Sequence, residues 1–522
     1  VAASGGIPSF WDPSQVTREL SAEEIQGVVG AFGRAARRAK MAGVDAIEIH
    51  GHLGYLLDSF MTPLWNKRTD EYGGSFENRM RFPTEIYHAV RDAVGPDYPV
   101  LFRLCIGHKI PGGRTEEESL EIVKYLDQLG IDAFDVDAGC YDAYDWAFPT
   151  PYMGDAPMAY IGEMVKKVTD KPVLNAGSYT PEAALKAVEE GKTDFVVIGR
   201  GMLAEPEYGR KLWENRREDI RPCMRCNEYC LTKTMRGVSC ALNQAAGAEK
   251  EYEILPAKHK RRVAVIGAGP GGLEAARVAA EKGHQVTVYE KAAEAGGQLI
   301  AASAPRFKSQ LRALLDYYKT QMGKLGVTMV MNHEISADSP ELAEADRIII
   351  ATGAHGFIPS IPGARNANVL EVIDAHTGDQ SRIGQKVVVA GGGFSGCGCA
   401  IELAEEGKEV TVVEMMDKLV PKGKIAAATS VNRTIREQGV QVYTGTKVLE
   451  FSEKGVKVET PDGAKELEAD TIIAAFGTRP NSQAAKEIFD RYPNSVQVGD
   501  CVEIGQIGEA VRAGFLAGWG IE

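Results

Sequence analysis

Cys223, Cys226, Cys230 and Cys240 crowd into eighteen positions with the spacing C-x2-C-x3-C-x9-C. Four thiolates so spaced invite zinc or an iron–sulfur cluster. Three close cysteines with a remote fourth suit a cubane, whereas zinc more often sits between two short C-x-x-C hooks. Structural zinc and four unrelated thiols are the alternatives. A second chemistry is written twice. VAVIGAGPGGLEAARVAAEKGHQVTVYE (263–290) is matched without a gap, 124 residues later, by VVVAGGGFSGCGCAIELAEEGKEVTVVE (387–414). Gly267, Gly269 and Gly272 meet Gly391, Gly393 and Gly396, and Glu290 meets Glu414. Each trio follows a strand and opens a helix. There the first glycine makes a tight turn, the second admits a pyrophosphate and the third lets helix and strand pack closely. The acid about twenty residues on is placed for a ribose hydroxyl pair. Two copies in full context point to two dinucleotide sites. Glu414 disfavours a 2'-phosphate, so NADH is expected at the second, with NADPH left open by Lys418 nearby. Gly297 and Gln298 (in GGQL, 296–299) and Gly499 and Asp500 (in VQVGDC, 496–501) are expected to complete the first.

Upstream, EIHGHLGYLLDSF (48–60) offers His50 and Tyr55. A neutral imidazole donates to a carbonyl, and a phenol delivers a proton; a loop hydrogen bond and a packed ring are the plain alternatives. Arg103, within PVLFRLC, needs an anionic partner if buried, and a flavin or a phosphate would serve. Gly177, Gly199 and Arg200 stand where a (β/α) barrel keeps its phosphate site. The loop GCYDAYDW (139–146) adds Tyr141, Asp142 and Tyr144, as chemistry or as a substrate wall.

These residues sit at the ends of elements. VDAIEIH (44–50), PVLFRL (99–104), AFDVDAG (133–139), KPVLNAG (171–177) and DFVVIGR (194–200) read as strands. The stretches Glu23–Ala42, Thr115–Leu129 and Pro181–Glu190 read as helices between them. Short apolar strands alternating with helices predict a parallel sheet covered on both faces, and polar or glycine strand ends predict an active rim. Five such units are visible where a closed barrel has eight. Either the sheet is open or the sequence begins after the third strand; the second reading is preferred, and such a chain is not expected to close its barrel. The expected divisions are 1–222 (barrel), 223–260 (cysteine segment and linker), 261–383 with 476–522 (first dinucleotide domain, split) and 384–475 (second).

Composition sets the limits. The 522 residues are 44% hydrophobic and 25% charged, enough for several cores, and the 57 glycines exceed a usual share. A net charge of -13 argues against bulk attraction to nucleic acid or anionic lipid. No stretch of apolar residues is long enough for a membrane span. The first residues do not read as a signal peptide, and nine cysteines, an odd number, are not a disulfide framework. A reducing cytoplasm is expected. A homo-oligomer is left open.

The stretch IEIHGxxGYLLxxFxxPxxNxRxDxYGGSxxNRxRF (47–82) and the cysteine cluster followed by GAGPGGLEAA resemble the iron–sulfur flavoenzyme branch of the old yellow enzyme family over essentially the whole chain. That branch includes 2,4-dienoyl-CoA reductase, 2-enoate reductase, gut-bacterial ene-reductases and trimethylamine dehydrogenase. The resemblance implies FMN in a TIM barrel, a [4Fe-4S] cluster beside it, FAD on the first dinucleotide unit and NAD(P)H on the second. It implies an NADH-dependent ene-reductase acting on a small unsaturated carbonyl compound, with a trimethylamine-type dehydrogenase as the alternative. By matching motifs, His50 would hold the activating carbonyl, Tyr55 would donate the proton, Arg103 would contact FMN, and Gly177, Gly199 and Arg200 would hold its phosphate. Two details depart from the pattern. Leu53 stands where the family has a second carbonyl donor, with His52 shifted by one. The 139–146 loop has tyrosines and aspartates instead of a catalytic histidine, which favours an enoate or enone over dienoyl-CoA chemistry.

Overall fold

The apolar runs of the first two hundred residues form five strands: β1 (Ile47–Gly51), β2 (Val100–Cys105), β3 (Ala133–Asp137), β4 (Val173–Ala176) and β5 (Phe195–Val197). In this computed structural model, which describes residues 1–232 and 237–522, they pair in parallel and in sequence order. Parallel neighbours need a crossover, and helices supply it. Ala22–Met41 starts at Ser21 in a capping box with Glu24, and Glu116–Leu129 is capped by Thr115 and stopped by left-handed Gly130. Ile49, Phe102, Leu104, Phe134 and Val136 build the core with Phe60, Met80 and Phe82 from the intervening helices. Register does the rest: His50 lies beside Arg103, and Arg103 beside Asp135, so three polar residues share one row across the strands. This unit comprises Val1–Pro149 and Asp155–Ile198; Thr150–Gly154 and Gly199–Glu522 form the second.

The second unit contains two five-stranded parallel sheets. In the first, the order is Ser495–Gln497, Arg347–Ile350, Arg262–Ile266, Gln285–Tyr289, Thr328–Val330. In the second, it is Val369–Glu371, Thr471–Ala474, Lys386–Ala390, Glu409–Val413, Gln441–Tyr443. Val369–Glu371 lies ahead of position 384, where the second dinucleotide domain was expected to start; it pairs with Thr471–Ala474, so the second sheet recruits an earlier edge strand than the repeat alone indicates. Lys447–Ser452, Gly455–Thr460 and Gly463–Glu468 form a three-stranded antiparallel sheet within the same region. The helix Ile507–Trp519 packs on Pro270–Glu281 closely enough that a Cβ at Gly514 would stand 2.0 Å from the Gly271 carbonyl oxygen. Among the described residues, no helix is long and apolar enough to cross a membrane.

Candidate active site and cofactor sites

His50 is the last residue but one of β1, and five residues on, Tyr55 is the N-cap of the short helix Leu56–Met61. Their rings lie 5.3 Å apart. Burial, then the nearby His52 and Arg103, push the His50 imidazole down to about 4, so it is neutral at pH 7. The Tyr55 hydroxyl hydrogen-bonds that of Tyr141. Burial and this bond to Tyr55 push the Tyr141 phenol upward. Phe10 stacks on Tyr141 and on Tyr144, each at 5.6 Å, and Trp11 meets both rings edge-on. His50, Tyr55, Tyr141 and Tyr144 therefore belong to one aromatic cluster. Tyr55 is 45% exposed and Trp11 59%, so the cluster has an open side. Asp142 is exposed beside it.

The loop that carries Tyr55 is pinned from behind. Asp58, fully buried, accepts from the Gly54 amide at 2.7 Å and from Arg114 at 2.6 Å, and faces His108 Nε2 at 3.2 Å. Because His108 Nδ1 accepts from the Arg114 amide, its other nitrogen carries the proton toward Asp58. Burial alone would raise the Asp58 carboxyl; Arg114 and His108 outweigh it and hold it well below the usual range. Asp58, Cys105 and His108 bring ligand-type atoms within 4.8 Å of one another, but the Arg114 guanidinium already occupies Asp58. This is a buried ion pair with its hydrogen bonds satisfied.

Arg103 finds its anions within the protein. Its guanidinium donates to Asp137, the polar end of β3, at 2.8 Å, and to Asp135, which was not singled out from the sequence, at 2.9 Å. Asp137 also binds His52, which removes that ring from the role of second carbonyl donor. Burial would raise Asp137, but His52 and then Arg103 hold it low. Asp135 is instead pushed up to about 7, mainly by burial, despite Arg103. Its Oδ1 is buried with no hydrogen-bond partner. The signal that could have found Asp135 is the alternation of AFDVD on a strand next to an arginine. Gly177 follows β4 at φ +148°, where a Cβ would stand 2.9 Å from Met158.

Gly199 precedes the short helix Arg200–Ala204 in the second unit. The Arg200 guanidinium donates to Asn227 and lines a small cavity with Cys223, Cys226, Cys230 and Cys240. The sequence assigned Arg200 to a phosphate, whereas its side chain reaches the cysteine segment. None of the four thiols is in a disulfide. The Leu242 amide donates to Cys240 Sγ at 3.4 Å. Arg225 and Asn227 adopt φ of +57° and +56°, which curls the chain around the cavity. Four free thiols lining one small cavity, and not drawn together to the spacing of a single metal ion, are a donor set suited to a larger thiolate-bound centre such as a cubane.

The two glycine loops are near copies. A Cβ at Gly272 would stand 2.0 Å from the Gly267 carbonyl oxygen, and one at Gly396 1.9 Å from that of Gly391. Gly269 and Gly393 face open space. Glu290 accepts from the Ala268 amide at 2.7 Å and the Ala292 amide at 2.8 Å. Glu414 likewise takes Gly392 at 2.7 Å and Met416 at 2.8 Å. Each carboxylate is thus fixed at the lip of its loop. Gly267, Gly269, Glu290, Gly297 and Gln298 line a cavity of about 750 Å³. Gly393, Gly396, Phe394 and Gly477 line another of about 890 Å³. Gly499 and Asp500 border both, and so does Gln298. Cavities of this size with an open helix N-terminus suit dinucleotides.

Residues 9–219 match the model of the NADH:flavin oxidoreductase / NADH oxidase family. Residues 261–491 match that of the pyridine nucleotide-disulphide oxidoreductases. An NADH oxidase from Thermoanaerobacter brockii is 36% identical over 97% of this chain and 79% of its own length. The chain belongs to the NADH:flavin oxidoreductase / NADH oxidase family. It is an oxidoreductase of the flavoenzyme branch that its motifs resemble, with a TIM-barrel flavin domain followed by Rossmann-like domains. A cinnamate reductase from Clostridium sporogenes is 34% identical, covering 98% of this chain and 80% of the relative. The solved structure of a 2-naphthoyl-CoA reductase in complex with 2-naphthoyl-CoA superposes with a TM-score of 0.89 at 34% identity, covering 97% of this chain and 78% of that one. The two family matches support FMN in the barrel and FAD with a pyridine nucleotide in the second unit.

Proposed function

We propose that this enzyme is an NADH-dependent ene-reductase that reduces a C=C bond conjugated to a carbonyl. The observation that carries the reading is the neutral His50 imidazole beside the Tyr55 hydroxyl on one open rim. When bound, FMN supplies hydride to the β-carbon, and NADH, FAD and a [4Fe-4S] cluster supply its electrons. The residues do the rest. His50 donates to the carbonyl oxygen and draws charge toward it. Tyr55 delivers a proton to the α-carbon, and Tyr141 behind it orients that hydroxyl. Phe10, Trp11 and Tyr144 suit a planar conjugated acid, enone or thioester. Cys223, Cys226, Cys230 and Cys240 hold the cluster. Gly177 would approach the FMN phosphate. Residues 261 to about 368 with 476–522 hold FAD, and the second sheet holds NADH, its Glu414 disfavouring a 2'-phosphate. Nine free thiols accord with a reducing cytoplasm. The aromatic cluster also suits an alkylammonium, which supports an amine dehydrogenase as the second reading; the open second dinucleotide cavity favours the first.

Anaerobic NADH is expected to bleach both flavins and the cluster, and an added enoate to restore the colour. In Tyr55→Phe, the reoxidation by enoate is expected to slow by about 10²–10⁴-fold while NADH oxidation by ferricyanide is kept. If both rates fall together, Tyr55 is structural and the assignment fails.

A further inference from the structure

Arg200 stands in the cavity that the four cysteines share. It is held there: its guanidinium donates to Asn227 Oδ1, and Asn227 lies between Cys226 and Cys230 with a left-handed backbone that turns its side chain to this task. A fixed cation therefore lines the cavity of a site whose four thiolates would bring four negative charges.

We propose that Arg200 is a potential-setting residue of the four-cysteine site, favouring the reduced state of the iron–sulfur cluster held there. The inference rests on the cluster assignment made above. One-electron reduction makes and breaks no bond; it adds one unit of negative charge to an already anionic group. A guanidinium lining the same cavity, in a partly desolvated setting, interacts more favourably with the more negative state. Arginine suits the task because it cannot lose its proton in a protein. Asn227 fixes where the charge sits, as an outer-shell partner does for a metal ligand.

The test is a redox titration of the anaerobically purified full-length holoenzyme, with dithionite as reductant and the reduced-cluster EPR signal as readout. Iron and FMN contents are measured on the same samples. Arg200→Gln is expected to lower the reduced-to-oxidised ratio at a given potential at least about tenfold, which is about 59 mV for a one-electron couple. Arg200→Lys is expected to keep most of the wild-type value. Asn227→Gly, which keeps the left-handed backbone but releases the guanidinium, is expected to shift the ratio in the same direction by less. If Arg200→Gln does not accumulate as folded protein, the lysine and Asn227 variants carry the test. An unchanged ratio with normal iron overturns the proposal, and accompanying FMN loss would place Arg200 with the flavin phosphate alone. Wild-type protein without iron would instead refute the cluster reading itself.

Discussion

His50 and His52 share a strand end, and their rings lie 5.5 Å apart, yet they do opposite things. His52 is buried and tied to Asp137, whereas the His50 imidazole lies against the Tyr55 ring and is held down to about 4. A histidine with an ordinary value near 6.5 would switch its donor properties within the working range. His50 does not, so kcat/KM for C=C reduction is expected to show no acid limb near pH 6.5. A pH profile from about 4.5 to 8 checks this, and a break close to the ordinary histidine value would contradict it. Stability follows with a definite sign. Between about pH 6.5 and about 4 the unfolded chain takes up a proton that folded His50 refuses, so this contribution is complete above the window and declines as pH falls through it. The sequence made His50, Tyr55 and Arg103 visible because each interrupts an apolar strand or follows one. It did not reveal Asp135 or Asp58. Their partners come from other strands or loops, and a pairing across register leaves no mark in a local pattern.

At the level of elements, the repeated glycines separate two jobs that a motif merges. Gly396 is required by packing, since its absent Cβ leaves room for the Gly391 carbonyl 1.9 Å away. Gly393 has an ordinary φ of -75° and nothing near it. Gly396→Ala is therefore expected to lower Tm clearly and to lose NADH-dependent flavin reduction with it. Gly393→Ala is expected to fold with an unchanged or slightly higher Tm, because the unfolded chain loses freedom. It should raise the NADH concentration needed for half-maximal FAD bleaching at least about tenfold, the equivalent of about 1.4 kcal/mol. Melts and bleaching titrations on both variants check the pair, and equal Tm losses would refute the division. The elements themselves were legible wherever burial was two-sided. AFDVD is a strand with every residue buried, and the helix expected at Thr115–Leu129 runs Glu116–Leu129 with Thr115 as its cap. The edge strand Val369–Glu371 was not legible. Three residues with one neighbour carry too little periodicity, and only its pairing with Thr471–Ala474 defines it.

The second unit is closed by its own C-terminal segment. Ser495–Gln497 completes the first sheet, Gly499 and Asp500 border both dinucleotide cavities, and Ile507–Trp519 lies along the helix that starts at the first glycine loop. The chain end is then tied down: Trp519 Nε1 donates to the Glu253 carbonyl at 3.1 Å, and Arg261 Nε to the Glu522 carbonyl at 3.0 Å. Backbone meets backbone at Gly514, which faces the Gly271 carbonyl 2.0 Å from where a Cβ would stand, and at Gly518, which faces that of Ala275 at 2.6 Å. Glu509, in the first turn of the same helix, accepts a hydrogen bond from Tyr229 at 3.0 Å, one residue before Cys230. One helix thus joins the cysteine segment to the first glycine loop. Gly514→Val is expected to push the helix off Pro270–Glu281 and to act at that distance. FAD content should fall well below FMN content in the purified protein, because the FMN-family region 9–219 does not include this helix. Flavin release followed by chromatographic separation of FMN from FAD measures the ratio. An equal loss of both flavins would mean that the helix supports the whole chain, and an unchanged ratio that the first dinucleotide loop does not depend on it.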